Sequence, residues 1–466
     1  MATLRFPRPG RGAATAKAGG GTEDDDPPAR RVRRRQAAAL CGVLCAGLLG
    51  ATGTFFAMRG QDGARGGPGA DLRRTGSATT APSPSTASSS SSSSSSLSSS
   101  PPAPAASAKT RVIGDGSTSD TGPQPHQLVP RKLKPGEKPP QFVVFSWDGA
   151  LENDDHLFSR FRTLAQRNDA HMTFFLSGIY LLPKDKRTLY KPPRHAPGAS
   201  AIDFPTDEHI RWTLQQLRLA WQQGDEIGTH FNGHFCAPDK GAGGTWSTAD
   251  WESEIGQAYS FVEHWKTNTG FTDIPPLPFD YSQELAGGRA PCLEGQKKLL
   301  PAAKAHGWRY DASSPGDFQL WPRKKDGVWD FPLQLMPYPG LDKQVLAMDF
   351  NFLYNQSGGD VTQGDPARYP AWEREARQAY LNGFERVYNG SRAPLFIGNH
   401  FETWNGGIYM QAVEDVVKDV CHREDVRCVS FKELSDWLDA QDPDVLAKLR
   451  TLDPAEAPDW STFTTG

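Results

Sequence analysis

His230 and His234 stand four residues apart in His-Phe-Asn-Gly-His, a spacing at which two imidazoles can address one metal ion. Gly228, Asn232 and Gly233 are poor helix formers, so the pair is expected in a loop just past a short strand. Strand ends are where α/β proteins collect their active residues. Alone, such a pair is more often two ordinary surface histidines, and three further segments argue against that. Phe142-Val143-Val144-Phe145-Ser146-Trp147-Asp148-Gly149 has the pattern of a strand buried on both faces that runs into a carboxylate. Gly287-Gly288-Arg289-Ala290-Pro291-Cys292 is a rigid turn carrying one guanidinium. Leu395-Phe396-Ile397-Gly398-Asn399-His400 is another apolar strand, ending in an imidazole. In chain order these segments supply an acid, a metal pair, an anion clamp and a second imidazole.

That order resembles the five motifs of polysaccharide deacetylases of the NodB-homology type (carbohydrate esterase family 4), and the chitin-deacetylase-like branch above all. Ser146-Trp147-Asp148-Gly149-Ala150 is similar to the family's Thr-Phe-Asp-Asp-Gly/Ala, and His230 to His234 to its metal-binding pair. Arg289-Ala290-Pro291 is similar to its third motif, Tyr310-Asp311-Ala312-Ser313-Ser314 to its fourth, and the strand ending in His400 to its last. The resemblance implies a divalent metal, zinc above all, held by His230 and His234. It implies Asp148 as catalytic base steadied by Arg289, the Cys292 N–H as oxyanion donor, and His400 as acid with its tautomer fixed by Asp311. The first motif departs from the pattern. The family places two carboxylates there, base then metal ligand, and this chain has one. An ungapped match keeps Asp148 as base and puts Gly149 at the ligand; a shift by one makes Asp148 the third metal ligand and puts Trp147 at the base. Glu152, Asp154 and Asp155 follow closely, but they precede the periodic run Leu157, Phe158, Phe161, Leu164 and read better as a helix N-terminus.

The elements that must position these residues alternate as an α/β domain requires. Strands are expected at 142–147 and 172–176, before His230, before His400 and at 427–430. Helices are expected at 157–167, 208–223, 249–266, 294–306, 371–388 and 408–420, with one more ending near 438. The expected fold is α/β: a single (β/α) barrel-like domain over 136–440, its chemistry on one rim. Proline- and aromatic-rich insertions at 183–205 and 316–364 offer Trp321, Trp329, Tyr338 and Tyr354 as sugar-stacking rings, although core packing is the commoner fate of such residues.

Residues 1–35 end in a basic cluster, Arg30, Arg31, Arg33, Arg34 and Arg35, and no charge follows from 36 to 58. This reads as a cytoplasmic tail and a transmembrane signal anchor, or a signal peptide if cleaved. Residues 59–135, nearly pure serine over 88–100 and flanked by prolines, read as a disordered stalk. Residues 441–466 read as a C-terminal tail. Cys236, Cys292, Cys421 and Cys428 form an even set in an oxidising compartment, and the pairs 236–292 and 421–428 are expected as disulfides. With a formal net charge of −3 and no Lys/Arg stripe among aromatics, nucleic acid is not an expected partner. The expected partners are an acetylated glycan and, through one N-terminal segment, a membrane; the domain is expected as a monomer. The expected function is a metal-dependent deacetylase of an N- or O-acetylated polysaccharide at the cell surface, a hydrolase of carbon–nitrogen bonds other than peptide bonds. A degenerate relative that binds glycan without hydrolysing it is the alternative.

Overall fold

The structure, a computed structural model, describes residues 110–359 and 365–465. The expected cytoplasmic tail, membrane segment and most of the stalk lie outside these residues. Among the described residues no helix is long and apolar enough to cross a membrane.

A short hairpin, β1 (Arg111–Ile113) and β2 (Thr118–Asp120), precedes the central sheet. Every residue of β3 (Gln141–Asp148) is buried, as its unbroken apolar run requires. Beside it lies β4 (Thr173–Leu176), then β5 (Glu226–Thr229), β6 (Gly287–Gly288) and β7 (Tyr310–Asp311), all parallel. The antiparallel hairpin of β8 (Arg323–Lys325) and β9 (Val328–Asp330) closes that side through β9, which pairs parallel to β7. A separate hairpin, β10 (Leu335–Pro337) and β11 (Gln344–Leu346), follows in the chain. On the other flank of β3 lies β12 (Leu395–His400), and β13 (Val426–Cys428) pairs with the first residues of β3.

The sheet curls into a half-barrel, and an irregular seam spans the opening between β12 and β9. There Leu333 N–H donates to Ser314 O, Ala347 N–H to Gln334 O and Gly398 N–H to Ala347 O. The Gln334 side chain accepts from Phe396 N–H, so the seam satisfies the edge of β12.

Helices cover the outside. In α1 (Leu157–Arg167), Leu157, Phe158, Phe161, Leu164 and Ala165 are buried, the spacing of one helical face. Thr206 caps α2 (Asp207–Gln223), which carries Asp207 and Glu208 in its first turn and ends at Gly224 with φ 98°. The others that matter below are α3 (Thr248–Glu263), α4 (Gln296–Ala305), α5 (Asp349–Ser357), α6 (Tyr369–Tyr388), α7 (Trp404–Val420), α8 (Phe431–Ala440) and α9 (Pro443–Leu449).

Inside the curl, Phe175, Tyr310, Phe331, Phe396 and Phe431 pack ring to ring; Phe331 and Phe431 stack at 5.1 Å. Full burial of such a side chain stabilises the fold by about 1.5–3 kcal/mol. The N-terminus of α8 plugs the end of the curl where the strands begin. Ser430 and Glu433 form its capping box, and Lys432 N–H donates to the buried Glu226 carboxylate.

Three expectations need correction. Residues 110–135 are not stalk: Ser119 N–H donates to Leu277 O, Gln124 Nε2 to Asp225 O, and Leu128 N–H to Glu433. Residues 441–465 are not a tail apart from the domain, because Leu446, Leu449 and Leu452 are buried and Thr464 Oγ1 donates to Glu137 O. Trp321, Trp329 and Tyr338 are core residues whose polar atoms bond to Ser391 O, Asp439 and Glu375. They offer no face to a sugar.

Candidate active site

Asp148, Arg289 and His400 converge at the ends of β3, β6 and β12, because parallel strands in register bring their C-terminal residues to one rim. Asp148 and His400 are direct register partners, so their side chains stand next to each other. Arg289 Nη1 donates to Asp148 Oδ1 at 2.9 Å, with both side chains almost fully buried. The guanidinium rests over Phe175, 4.9 Å from the ring centre, and its Nε donates to Ala312 O. The aromatic interior is thus the low-dielectric floor of the site. Burial alone would raise the Asp148 pKa. The charge of Arg289, with His230 and His400 behind it, outweighs that and holds the carboxyl below its ordinary value.

His400 is in the opposite condition. Burial would lower its pKa, but Asp349 pushes it up to about 9. His400 Nδ1–H donates to Asp349 Oδ1 at 2.8 Å and the His400 N–H to Oδ2 at 2.7 Å, which leaves Nε2 as the working nitrogen. Asp349 therefore does what Asp311 was expected to do. Asp311 is buried elsewhere, accepting from Gln296 Nε2 at 2.7 Å and Ser313 Oγ at 2.7 Å, with burial raising its pKa to about 6. It makes no contact with His400.

The two histidines sit in the loop after β5, as expected. His230 Nδ1–H donates to Arg289 O at 2.8 Å, so Nε2 carries the lone pair, and this atom is buried without a partner. The His230 and His234 rings lie 5.1 Å apart. Phe231 and His234 take left-handed backbone at φ 59° and 56°. Behind the loop, Asn232 Nδ2 donates to Glu254 O, and Tyr190 Oη accepts from Gly233 N–H while donating to Glu254. A Cβ on Gly233 would lie 2.6 Å from Tyr190 Oη, so glycine is required there. Cys236 and Cys292 are joined by a disulfide that ties this loop to the Arg289 turn, and Cys421–Cys428 forms the second expected bridge.

A third metal ligand is not assembled. Among the described residues, Asp148, His230 and His234 do not form a set with all ligand atoms within 4.8 Å. The set that does, His234 with Cys236 and Cys292, has its sulfurs locked in the disulfide. Asp148 is committed to Arg289, which favours the register that makes it the base and leaves Gly149 at the ligand position. Gly149 has φ 75°, and a Cβ there would meet only Tyr180, its hydroxyl at 3.6 Å. The following carboxylates are engaged elsewhere: Glu152 accepts from Ser159 N–H and pairs with His156, and Asp154 lies against His209. The orphaned His230 nitrogen and the neighbouring His234 ring offer a metal two side chains; the donor set does not fit a centre of three.

Sequence reasoning missed Asp349, although Val345-Leu346-Ala347-Met348-Asp349 repeats the apolar-run-then-carboxylate signature of Asp148. It also missed the half-buried rings of Phe350 and Trp404 that flank His400.

What the fold and rim define is a parallel half-barrel with two buried pairs side by side at its strand ends, a carboxylate against a guanidinium and an imidazole against a second carboxylate. The solved structures that match are polysaccharide deacetylases of carbohydrate esterase family 4, pseudoenzymes among them. A candidate polysaccharide deacetylase from Mycobacterium smegmatis is 13% identical, over 67% of this chain and 96% of its own, with a TM-score of 0.39. A family pseudoenzyme from Bacillus anthracis is 10% identical over 68% of this chain and 72% of its own, at 0.33. A peptidoglycan deacetylase from Bacillus subtilis is 9% identical over 64% of this chain and 92% of its own, at 0.32. No family model matches, and no curated protein matches. The family named by these structures is the one the motifs resemble.

Proposed function

We propose that this chain is a polysaccharide-deacetylase-like hydrolase that removes acetyl groups from an amino sugar of an acetylated glycan. The observation that carries this is the geometry of two buried pairs on adjacent strands: Asp148 lies 2.9 Å from Arg289, whose charge holds the carboxyl below its ordinary pKa, and His400 lies 2.8 Å from Asp349, which pushes the imidazole up to about 9. Asp148 takes a proton from the attacking water as its oxygen bonds to the acetyl carbon. His400 Nε2 then gives a proton to the departing amine as the C–N bond breaks, and acetate leaves. The Cys292 N–H, on the turn after Arg289, is the proposed oxyanion donor. Arg289 acts through Asp148 and Asp349 through His400, as positioning residues.

His230 and His234 are the proposed contact for a divalent metal such as zinc, but with two side chains rather than three no step is assigned to it. The proposed setting is extracytoplasmic, with residues 36–58 as anchor and the glycan of a cell wall or a chitin-like polymer as substrate. The test is acetate release from acetylated chitin and peptidoglycan fragments, with and without added zinc. Release that Asp148→Asn abolishes supports the hydrolase. The second reading, glycan binding without turnover, is favoured by Gly149 at the ligand position; it predicts saturable binding and no acetate under any metal.

A further inference from the structure

We propose that reduction of the Cys236–Cys292 disulfide uncovers a zinc site made of His234 and the two freed thiolates. The site does not rest on the deacetylase reading, since it concerns the edge of the histidine loop and not Asp148 or His400. The ligand atoms of His234, Cys236 and Cys292 all lie within 4.8 Å of one another. His234 Nδ1 is 3.7 Å from Cys236 Sγ. In a tetrahedral zinc centre, bonds of about 2.3 Å to sulfur and about 2.0 Å to nitrogen put a thiolate about 3.5 Å from an imidazole nitrogen and about 3.8 Å from a second thiolate. The first spacing is already present. With the Cα atoms 6.0 Å apart, side-chain rotation brings the two sulfurs to the second once their bond is open.

The scaffold holds these three residues together without the sulfur–sulfur bond. The Glu294 carboxylate, two residues past Cys292, accepts from Ala237 N–H and from Gly244 N–H, each at 3.0 Å. A Cβ on Gly295 would lie 2.7 Å from Gly243 O, so the segments beyond the two cysteines meet at close quarters. On the other side of His234, Tyr190 Oη accepts from Gly233 N–H, and the Asn232 amide donates to Glu254 O. A loop arranged in this way has little order left to lose when it takes an ion.

Cys292 is exposed and Cys236 half-buried, so a dithiol in solution can reach the bond. In thiol–disulfide exchange that dithiol gives up two electrons and two protons: its own sulfurs join, and Cys236 and Cys292 are left as thiols. Zinc then displaces both thiol protons and takes a lone pair of His234, with its fourth position left to water. Two thiolates and an imidazole are a soft set that suits zinc far better than magnesium or calcium. Reduction thereby draws His234 away from His230 and turns a covalent brace into a metal clip. The Cys421–Cys428 bridge has no such second state, because among the described residues no third ligand atom stands within the same reach of it.

The experiment is titration of the full chain with cobalt(II), a spectroscopic stand-in for zinc, before and after treatment with dithiothreitol that is then removed under argon. Cys41, Cys45, Cys421 and Cys428 are replaced by serine, so that the two cysteines of the site are the only thiols. The reduced chain should bind cobalt with a thiolate-to-metal charge-transfer band that zinc abolishes, and the oxidised chain should show no such band. Zinc affinity should rise about a hundredfold or more on reduction, and His234→Ala should take back at least about tenfold of it. A readout independent of those serines is alkylation of the reduced wild type, mapped by mass: zinc should protect Cys236 and Cys292 together. A reduced chain without the band, an affinity that His234→Ala leaves unchanged, or equal alkylation of both cysteines with and without zinc overturns the site.

Discussion

At the scale of single residues, the site rests on two charged pairs of opposite purpose, and each gives a prediction. Asp349→Asn should let the His400 pKa fall from about 9 toward its ordinary value. A protonated acid works below its pKa, so the alkaline limb of the kcat profile should move to lower pH, while Asp311→Asn leaves that limb in place. A limb that moves with Asp311 instead would refute the assignment. Gly149→Asp restores the family's second carboxylate and should tighten zinc binding, measured by competition with a chromophoric chelator. The gain is opposed by the φ of 75°, which costs a non-glycine residue about 1–2 kcal/mol, so the variant should also melt earlier. Asp148, Arg289, His230, His234 and His400 were legible because each ends an apolar run or sits in a spaced motif. Asp349 was not, since nothing local says which of several strand-end carboxylates will meet an imidazole 51 residues further on.

At the scale of elements, the strands and helices that carry the site follow the apolar periodicity closely, while the 316–364 insertion does not. Its short strands β8 to β11 hold together through hairpin pairing and the Gln334 seam, which leave little trace in a hydrophobic pattern. The two disulfides separate by loop length. The Cys236–Cys292 bridge closes a span of 56 residues and the Cys421–Cys428 bridge one of 7. Chain entropy then predicts a loss of about 4 kcal/mol on replacing the first pair by serine and about 2.5 kcal/mol for the second. Urea midpoints of the two double variants should rank in that order. The first should also weaken zinc binding, because Cys236 lies two residues from His234; equal midpoints with unchanged zinc binding would count against the brace.

At the scale of the whole molecule, burial sets the response to pH. Asp225, Glu226 and Glu254 are fully buried, and burial holds each carboxyl up at about 7. The folded chain keeps protons that the unfolded chain gives up above about pH 4. Stability should therefore fall as pH rises from about 4 through 7, and His171, raised beside Glu433, acts in the same sense. Burial pushes His234 down to about 3, which opposes this trend up to the ordinary histidine value of about 6.5, and Asp148, held low by Arg289, opposes it only below the window. A melting temperature that rises between pH 5 and pH 8 would contradict the prediction. The domain boundary gives another: a chain starting at 136 should melt well below one starting at 110. It would lose the Trp265 bond to Ser117 O, the Ser119 bond to Leu277 O and the Gln124 bond to Asp225 O. That stretch was illegible as structure because it is held by polar contacts and not by an apolar face.

The same stretch has a mechanical consequence. Residues 124–133 cross the pole where the strands begin, bonding to the segment before β5 and to α8 and its C-cap Gln441. The rim that carries Asp148 and His400 is the other pole. A load applied upstream of Thr110 is borne by the β1–β2 zipper and this strap, never by the catalytic loops. Any surface that grips the chain by its leading end would hold it like a cup by the base, mouth outward. On the reading proposed above, a chain held so would turn its site toward an insoluble polymer that will never diffuse to it.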